Sequence, residues 1–191
     1  MKKELIEIET LKQLERMNKE NKVRPSLMTP KHYDGSMVVT NSFTAIKVDD
    51  EKYKDDDRTD YPTNAVQLFD NDPEDWIELG QSDMKALKEF TSTFKRLKEA
   101  TIMITFEKDN FIIKGYKSKI ETILPYQQIK LSGDIIGKTI TVNPKYMDQI
   151  LTYYIRLKAM RVKIEYTDDV RPFKVTNLNV QYLAAQIRNP R

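Results

Sequence analysis

The stretch TITVNPKYMDQILTYY, residues 139–154, contains the sharpest change of local structure that the sequence predicts. Its first four residues are rich in β-branched side chains, which is typical of a strand. Asn143 is a favourable helix N-cap, and Pro144 suits the first helical position, where a missing N–H costs no hydrogen bond. The apolar residues that follow have the spacing of one helical stripe. They are Met147, Ile150, Leu151 and Tyr154. The stretch therefore predicts a strand that leads directly into a helix.

The order β-α-β-β-β, which this switch begins, occurs again along the chain. After the helix of the stretch above, the segments RVKIEYT, PFKVTN and VQYLAAQIR predict three strands within residues 161–188. An earlier copy starts with the strand DWIEL, continues with a helix that Ser82 caps, and ends with three strands within residues 101–126. The two copies share a pattern rather than a sequence.

A first copy precedes them. The alternation of apolar and charged residues in Glu4–Glu9 predicts a strand, and Thr10 then caps a helix. The segments SLMTPKHY, SMVVTN and TAIKVDD predict three strands within residues 26–50. Asp49–Asp75 follows, an acidic segment with two prolines, which predicts a long exposed connection.

These units predict an α+β protein with helices on one face of antiparallel sheets. We expect a first domain at residues 1–131, made of two units with the acidic connection at about 49–75 between them. Residues 132–191 then form a third unit, a half-domain with exposed sheet edge and core, which has to find a partner.

Composition excludes several classes of site. The 191 residues include 32 basic and 29 acidic side chains, no cysteine and one histidine, His32. Disulfides, thiolate catalysis and sites with several histidine or cysteine ligands are therefore excluded. No apolar run approaches the roughly 20 residues that cross a bilayer, and the N-terminus lacks a signal-peptide core. We expect a soluble intracellular protein with no membrane partner.

Catalytic motifs are missing from the sequence. It contains no phosphate-binding glycine loop and no nucleophile elbow, so we predict neither an enzyme nor a cofactor. Asp55–Asp57 could hold a divalent cation, but consecutive carboxylates point in alternating directions, which favours a solvated acidic run. We therefore predict no metal site, and an enzyme stays an alternative only if this run binds a metal.

The predicted helices carry basic residues opposite their apolar stripes. A surface that gathered them would attract nucleic-acid phosphates without reading sequence. The alternative is an ordinary solvated helix face, since glutamates such as Glu15 and Glu89 lie among the lysines. The residues that we expect to contact DNA are Lys12, Arg16, Lys19, Lys85, Lys88, Lys95, Lys145, Arg156 and Lys158.

Repeated β-α-β-β-β units with basic helices resemble the DNA sliding clamps, above all the bacterial DNA polymerase III beta subunit. Residues 139–154, together with MRVKIEYTDDVRPFKV and VQYLAAQIR, resemble the last half-domain of that family. The matching positions are Asn143, Tyr146, Asp168, Pro172, Tyr182 and Arg188. MVVTNSFTAIKV resembles the family's threonine-aspartate-glycine-histidine-arginine-leucine strand, and KSKIETILPYQQI resembles the segment that leads to its proline-aspartate-tyrosine turn.

The resemblance implies an assembly. Bacterial clamps have six such units and form dimers, other clamps have four and form trimers, and each ring contains twelve. A chain with three units would need four copies for a ring of that size. We therefore expect a homo-oligomer that encircles or flanks double-stranded DNA and tethers a DNA polymerase or other replication proteins. A shortened, phage-encoded clamp in the host cytoplasm fits this expectation.

The resemblance also implies a pocket for partner peptides. Carried over by motif, it consists of Thr40, Ala45, Pro125, Ile129, Val170, Pro172, Ala185 and Ile187. The chain departs from the family here, since Asn41, Ser42 and Phe43 replace aspartate, glycine and histidine, and Gln186 replaces proline. These residues are otherwise read as ordinary strand and core positions.

The segment AVQLFD, residues 65–70, resembles the peptides that bind such pockets. It would dock in the chain's own pocket or a neighbour's, whereas the alternative is that Leu68 and Phe69 pin the connection to its own core. The rival reading of the whole protein is a clamp-fold interaction protein that forms no ring and modulates a host clamp or polymerase.

Overall fold

The computed structural model describes residues 3–20, 24–98, 101–116, 120–127 and 130–188. The helices are α1 (Lys3–Glu20), α2 (Thr63–Gln67), α3 (Gln81–Arg96) and α4 (Pro144–Arg156), and Pro25–Leu27 forms a 3-10 turn. The strands are β1 (Lys31–Tyr33), β2 (Ser36–Thr40), β3 (Thr44–Asp49), β4 (Asp75–Gly80), β5 (Ile102–Phe106), β6 (Asn110–Gly115), β7 (Glu121–Pro125), β8 (Lys130–Ser132), β9 (Thr139–Val142), β10 (Arg161–Tyr166), β11 (Phe173–Asn177) and β12 (Val180–Ala184). The predicted α+β class is confirmed.

The strand-to-helix switch at residues 139–154 is confirmed. The side chain of Asn143 accepts a hydrogen bond from the N–H of Lys145 at 2.9 Å, and Pro144 is the first residue of α4. The predicted apolar stripe of α4 is buried throughout. The hydroxyl of Tyr154 donates to the carbonyl of Val175 at 2.6 Å, which fixes α4 against β11. The short switch thus lets a strand and its helix pack within a few residues.

The predicted strand at Glu4–Glu9 is wrong, because these residues form the first turns of α1. The alternation there covers only six residues, whereas buried side chains recur at helical spacing along the whole of α1. They are Ile6, Thr10, Leu14 and Met17. Ile8, which the strand pattern paired with Ile6, is 50% exposed.

Three smaller predictions also differ from the structure. Gly80 rather than Ser82 is the N-cap of α3, because β4 runs to Gly80 and the helix begins at the next residue. The segment SLMTPKHY supplies only the short strand β1, since Pro25 starts a 3-10 turn and proline cannot donate to a ladder. The link between the second and third copies contains an additional strand, β8, which pairs with β4.

The strands form two antiparallel sheets. The eight-stranded sheet has the order β1-β2-β3-β12-β11-β10-β4-β8, and the four-stranded sheet has the order β7-β6-β5-β9. The second and third copies exchange their first strands: β4 pairs with β10 of the third copy, and β9 pairs with β5 of the second. Helices α3 and α4 of these copies also pack along each other. Strand pairing therefore crosses the predicted boundary between residues 1–131 and 132–191. The division of the chain into these two domains stays a prediction.

Among the described residues, one strand pair joins the first copy to the others. Its last strand, β3, is antiparallel to β12, the last strand of the third copy, with a register from Val180 opposite Val48 to Ala184 opposite Thr44. Helices α1, α3 and α4 share one apolar core with both sheets, which places them on the same side of the eight-stranded sheet.

The acidic connection is not simply exposed. Tyr61 and Phe69 are buried and cover the outer face of the eight-stranded sheet, where they form a second apolar cluster with Val38, Ala45 and Leu183. The prediction that Phe69 pins the connection is confirmed, whereas Leu68 is 42% exposed. Most charged residues of the connection are exposed, as the sequence predicted. Its buried aromatic residues, Tyr61 and Phe69, anchor it to the eight-stranded sheet.

Candidate nucleic-acid interface

Helix α4 lies between α1 and α3, and polar side chains of the three helices face the same side of the protein. The stripe on α4 runs through Lys145, Asp148, Gln149, Thr152 and Arg156, at the spacing of one helical face. An ion pair from α1 reaches Arg156 at one end of this stripe, and ion pairs from α3 reach Asp148 near the other end. This helical surface, formed by the outward stripes of α1, α3 and α4, gathers most of the cations expected to contact DNA.

Glu9 links α1 to α4. Its carboxylate accepts from Lys12 at 2.7 Å and lies 3.5 Å from the guanidinium of Arg156. Beside it, the hydroxyls of Thr10 and Tyr153 share a hydrogen bond of 2.8 Å. Burial raises the pKa of the Tyr153 phenol, so this group stays neutral and holds the two helices together. Two predicted DNA contacts, Lys12 and Arg156, are therefore shared with one acid.

Asp148 links α4 to α3 in the same way. Its carboxylate accepts from the Ser92 hydroxyl at 2.6 Å and from Lys95 at 2.8 Å, and Lys88 lies at 3.7 Å. Burial acts to raise the pKa of Asp148, but the hydrogen bonds from Lys95 and Ser92 outweigh it and hold the pKa below its usual value. Asp148 therefore stays ionised and offsets part of the charge of Lys88 and Lys95.

A cavity of about 290 Å³ opens on the helical surface where the three helices meet. One cation from each helix lines it: Arg16 from α1, Lys95 from α3 and Lys145 from α4. The structure thus brings together three residues that lie far apart in sequence. Asp148 also lines the cavity and is paired with Lys95, so three cations face one carboxylate and the net charge of the lining is positive. A cluster of this kind attracts phosphate groups.

The remaining predicted contacts lie elsewhere on the helices. Lys19 and Lys85 are exposed on α1 and α3. Lys158 follows the end of α4 with a φ of 56° and lines a separate groove with Leu5 and Met160. The sequence interpretation missed the acids Glu9 and Asp148. For Glu9 the i,i+3 spacing to Lys12 on the same helix was a signal, whereas the ion-pair partners of Asp148 lie on another helix.

The residues of the predicted peptide pocket differ in their exposure to solvent, from buried to exposed positions. Thr40 and Ala45 are buried in β2 and β3, and Ala45 belongs to the cluster that Phe69 covers. Pro172 lies beside Leu68 and Leu183. Pro125 and Val170 are exposed in β7 and in the β10–β11 turn, and Ala185 and Ile187 are half-buried after β12. Ile129 lies outside the described residues.

Two residues that differ from the clamp motifs, Ser42 and Gln186, have well-defined backbone or side-chain geometry. Ser42 stands at the glycine position with a φ of 73°, in the left-handed region that glycine favours. Gln186 stands at the proline position, where its amide accepts from the N–H of Thr141 at 3.2 Å and donates to the carbonyl of Arg171 at 2.8 Å. The loop and the C-terminal segment around the predicted pocket are therefore ordered, with their own contacts.

The acidic run does not gather around a cation position. Asp56 accepts from the N–H of His32 at 2.7 Å and from Lys31 at 2.6 Å, and Asp55 accepts from the N–H of Asp34 at 2.7 Å. Within the described parts of the chain, no group of three or more histidine and acidic residues could hold a metal ion. The described helices also include none that is long and apolar enough to cross a membrane.

No protein-family model matches the sequence, and no curated protein matches it. The fold is nevertheless similar to solved clamp structures. The DNA polymerase beta subunit of Streptococcus pyogenes is 15% identical, with a TM-score of 0.67, over 94% of this chain and 64% of that chain. The DNA polymerase sliding clamp of Bacillus subtilis is 12% identical, with a TM-score of 0.67, over 89% of this chain and 59% of that chain.

A third structure, the Helicobacter pylori beta clamp bound to a DNA ligase peptide, is 19% identical, with a TM-score of 0.52, over 82% of this chain and 41% of that chain. The chain spans less than two thirds of the length of these clamps. The similarity covers most of this chain. The chain therefore has the fold of the bacterial DNA polymerase sliding clamps.

Proposed function

We propose that the protein is a sliding-clamp-like processivity factor that holds duplex DNA against its helical surface and tethers a DNA polymerase or other replication proteins. The observation that carries the proposal is the convergence of Arg16, Lys95 and Lys145 from three helices around one cavity. Such cations contact phosphates without reading sequence, and the contacts exchange easily, so the protein could move along the duplex.

The proposal includes an assembly. A chain of three units covers only part of a clamp, so it would act as a homo-oligomer, and a ring of twelve units would contain four copies. The protein would work in the cytoplasm, that of a bacterial host if a phage encodes it. It would need no cofactor and would perform no catalysis.

Charge reversal on the helical surface tests the DNA contacts. Arg16→Glu, Lys95→Glu and Lys145→Glu are each expected to weaken binding to a fluorescent DNA duplex at low salt, measured by anisotropy. Each is also expected to reduce the salt slope by about 1. Lys54→Glu, in the exposed connection, makes the same charge change elsewhere and serves as the control. Equal affinities for the four variants and the wild type would refute the interface.

The peptide pocket forms the second part of the proposal. The solved Helicobacter pylori clamp binds a DNA ligase peptide, which makes partner peptides a reasonable class of ligand. Here Phe69 covers Ala45, so an external peptide could reach Ala45 only after Phe69 leaves. Replacing both Leu68 and Phe69 by alanine is expected to raise the affinity for a partner peptide. An unchanged affinity would remove the idea that AVQLFD occupies the pocket.

The ion pairs favour one rival function. Glu9 and Asp148 hold four of the nine predicted DNA-contacting cations in ion pairs: Lys12, Arg156, Lys88 and Lys95. A protein that modulates a host clamp or polymerase without forming a ring would not need those cations free. Light scattering that shows a stable monomer at micromolar concentration, together with co-purification of a clamp or polymerase, would select this function.

A further inference from the structure

A groove of about 650 Å³ opens between the first turns of α1 and the end of α4. Two turns form its walls, the one that ends α4 and the hairpin turn between β11 and β12, and we call it the turn groove. Its lining includes four apolar side chains and two cations: Leu5, Leu157, Met160, Leu178, Lys158 and Arg161. Its volume lies in the range of about 300–1,000 Å³ that is usual for ligand sites.

The apolar walls of the turn groove are exposed to solvent. Leu178 is 81% exposed and Met160 is 70% exposed. Leu178 also has a φ of 52° in a two-residue hairpin turn, since Asn177 pairs with Val180. Glycine favours this left-handed region, whereas leucine rarely adopts it. A leucine at this position serves neither the backbone nor the core of the chain, which points to a contact with another molecule.

Hydrogen bonds fix the β11–β12 turn to the neighbouring strands. The side-chain amide of Asn177 donates to the carbonyl of Arg161 at 2.6 Å. On the other side, the amide of Asn179 donates to the carbonyl of Asp49 at 2.8 Å, and the Asn179 carbonyl accepts from the Asp49 N–H at 2.9 Å. This wall of the groove is therefore formed before a ligand arrives, and a preformed site loses less entropy on binding.

The charges at the rim favour an acidic ligand. Lys158 is exposed and forms no ion pair with any residue that the structure describes. The guanidinium of Arg161 lies 3.5 Å from Glu78, and its side chain is 58% exposed. Both cations are therefore accessible to the carboxylates of a ligand that covers the apolar walls. A DNA duplex presents mainly charged phosphates, which would leave Met160 and Leu178 without an apolar contact.

We propose that the turn groove binds a short acidic peptide segment of a protein partner. Apolar side chains of the segment pack against Met160 and Leu178, and its carboxylates lie beside Lys158 and Arg161. The apolar contacts supply affinity, and the charges select an acidic segment over a basic one.

The turn groove and the predicted peptide pocket lie at opposite ends of one strand pair. Ala184 opposite Thr44 forms the end near the predicted pocket, and Val180 opposite Val48 forms the end near Leu178. A ligand in one site therefore leaves the other accessible, so the protein can hold two different partners at once. The turn groove depends neither on DNA binding nor on assembly.

Fluorescence anisotropy with labelled synthetic peptides tests the chemistry of the site. A short peptide of alternating aspartate and leucine is expected to bind saturably. Peptides of alternating lysine and leucine, or of alternating aspartate and serine, are expected to bind at least about tenfold more weakly. Equal affinity of the aspartate–leucine peptide and either control would overturn the proposal, as would the absence of saturable binding at millimolar concentration.

Substitutions in the turn groove test its position. Leu178→Gly and Lys158→Glu are each expected to weaken binding of the aspartate–leucine peptide, by about tenfold for the lost leucine contact. Lys98→Glu is the matched control, since Lys98 follows α3 in the same Arg-Leu-Lys turn with the same φ of 56°. Leu178→Gly is expected not to lower the urea midpoint, because glycine favours the left-handed region. Equal affinities of Lys158→Glu and Lys98→Glu would overturn the assigned site.

Other occupants of the turn groove would give different results. A DNA duplex that displaces the aspartate–leucine peptide would make the groove a nucleic-acid contact. A wild-type mass in light scattering that falls in Leu178→Gly would make it a contact between copies. Either result would overturn the proposal. Arg16→Glu is expected to weaken DNA binding and leave peptide binding unchanged, so the turn groove and the proposed function are tested separately. Loss of peptide binding in Arg16→Glu would place the peptide on the helical surface instead and overturn the site.

Discussion

Replacing Asp148 by asparagine is expected to strengthen binding to duplex DNA. The Asp148 carboxylate lies 2.8 Å from Lys95 and 3.7 Å from Lys88, so it competes with phosphates for both cations. Asparagine keeps an acceptor for the Ser92 hydroxyl but has no charge to hold the lysines. The two cations would then be available on the helical surface.

The size of the effect follows from counterion release. Each additional phosphate contact steepens the dependence of log affinity on log salt by about 0.9, so two contacts add about 1.8. Between about 50 and 200 mM salt, affinity would therefore fall about tenfold further than in the wild type. The side chains of Lys88 and Lys95 are 33% and 49% exposed, so each lost ion pair costs about 1 kcal/mol or less. The variant is therefore expected to stay folded.

Anisotropy titrations with a DNA duplex at several salt concentrations measure both the affinity and the slope. Asp70→Asn is the matched control, because it removes one negative charge from an exposed position in the connection. Equal slopes for Asp148→Asn and Asp70→Asn would refute a specific competition of Asp148 for the two lysines, since the change at Asp148 would then act only through net charge.

Two further outcomes test the acidic connection. Partial burial acts to raise the pKa of Asp56, but the His32 N–H and the Lys31 ammonium lower it to about 2. Because this folded pKa lies below the ordinary value of 3.8, the stabilisation is complete above pH about 4 and disappears towards pH about 2. A shift of this size is worth about 2 kcal/mol, which solvent screening reduces to about 1. Thermal melts of Asp56→Asn should therefore lie below wild type at pH 7 and converge with it near pH 2, and a constant difference would contradict the assignment. Phe69→Ala is expected to lower the free energy of unfolding in urea by about 3 kcal/mol, against less than about 1 kcal/mol for the exposed control Leu68→Ala. Equal losses would show that Phe69 does not anchor the connection.

Local chemistry predicted the elements whose ends carry strong signals. Asn143 and Pro144 fixed the start of α4, because a cap and a first-turn proline act through neighbouring backbone groups. The prediction for the first copy was wrong at Glu4–Glu9, where six alternating residues fit a strand as well as a helix. Only the buried positions further along α1 distinguish the two structures. A longer window, including Leu14 and Met17, would have favoured the helix.

The ends of two helices carry a further sign of the repeat. The ends of α3 and α4 share the sequence Arg-Leu-Lys, and the lysines, Lys98 and Lys158, both have a φ of 56°. This shared C-terminal turn aligns the second and third copies better than their strands do.

Contacts between distant segments could not be predicted in the same way. Glu9 lies 147 positions before Arg156, and Asp148 is more than 50 positions from Lys95, so only the folded arrangement of the helices reveals their ion pairs. The anchoring of Phe69 also depends on Leu183, which a different unit supplies. The basic surface was therefore predictable as a set of residues, whereas its internal neutralisation was not.

The exchange of β4 and β9 makes the second and third copies mutually dependent. A fragment that stopped before β9 would leave β5 without its outer neighbour and β4 without β10. Neither copy can complete a sheet from its own residues, so partial unfolding of one opens the other. Residues 75–184 should therefore lose structure in one cooperative step, so that neither of these two copies can be loosened without the other.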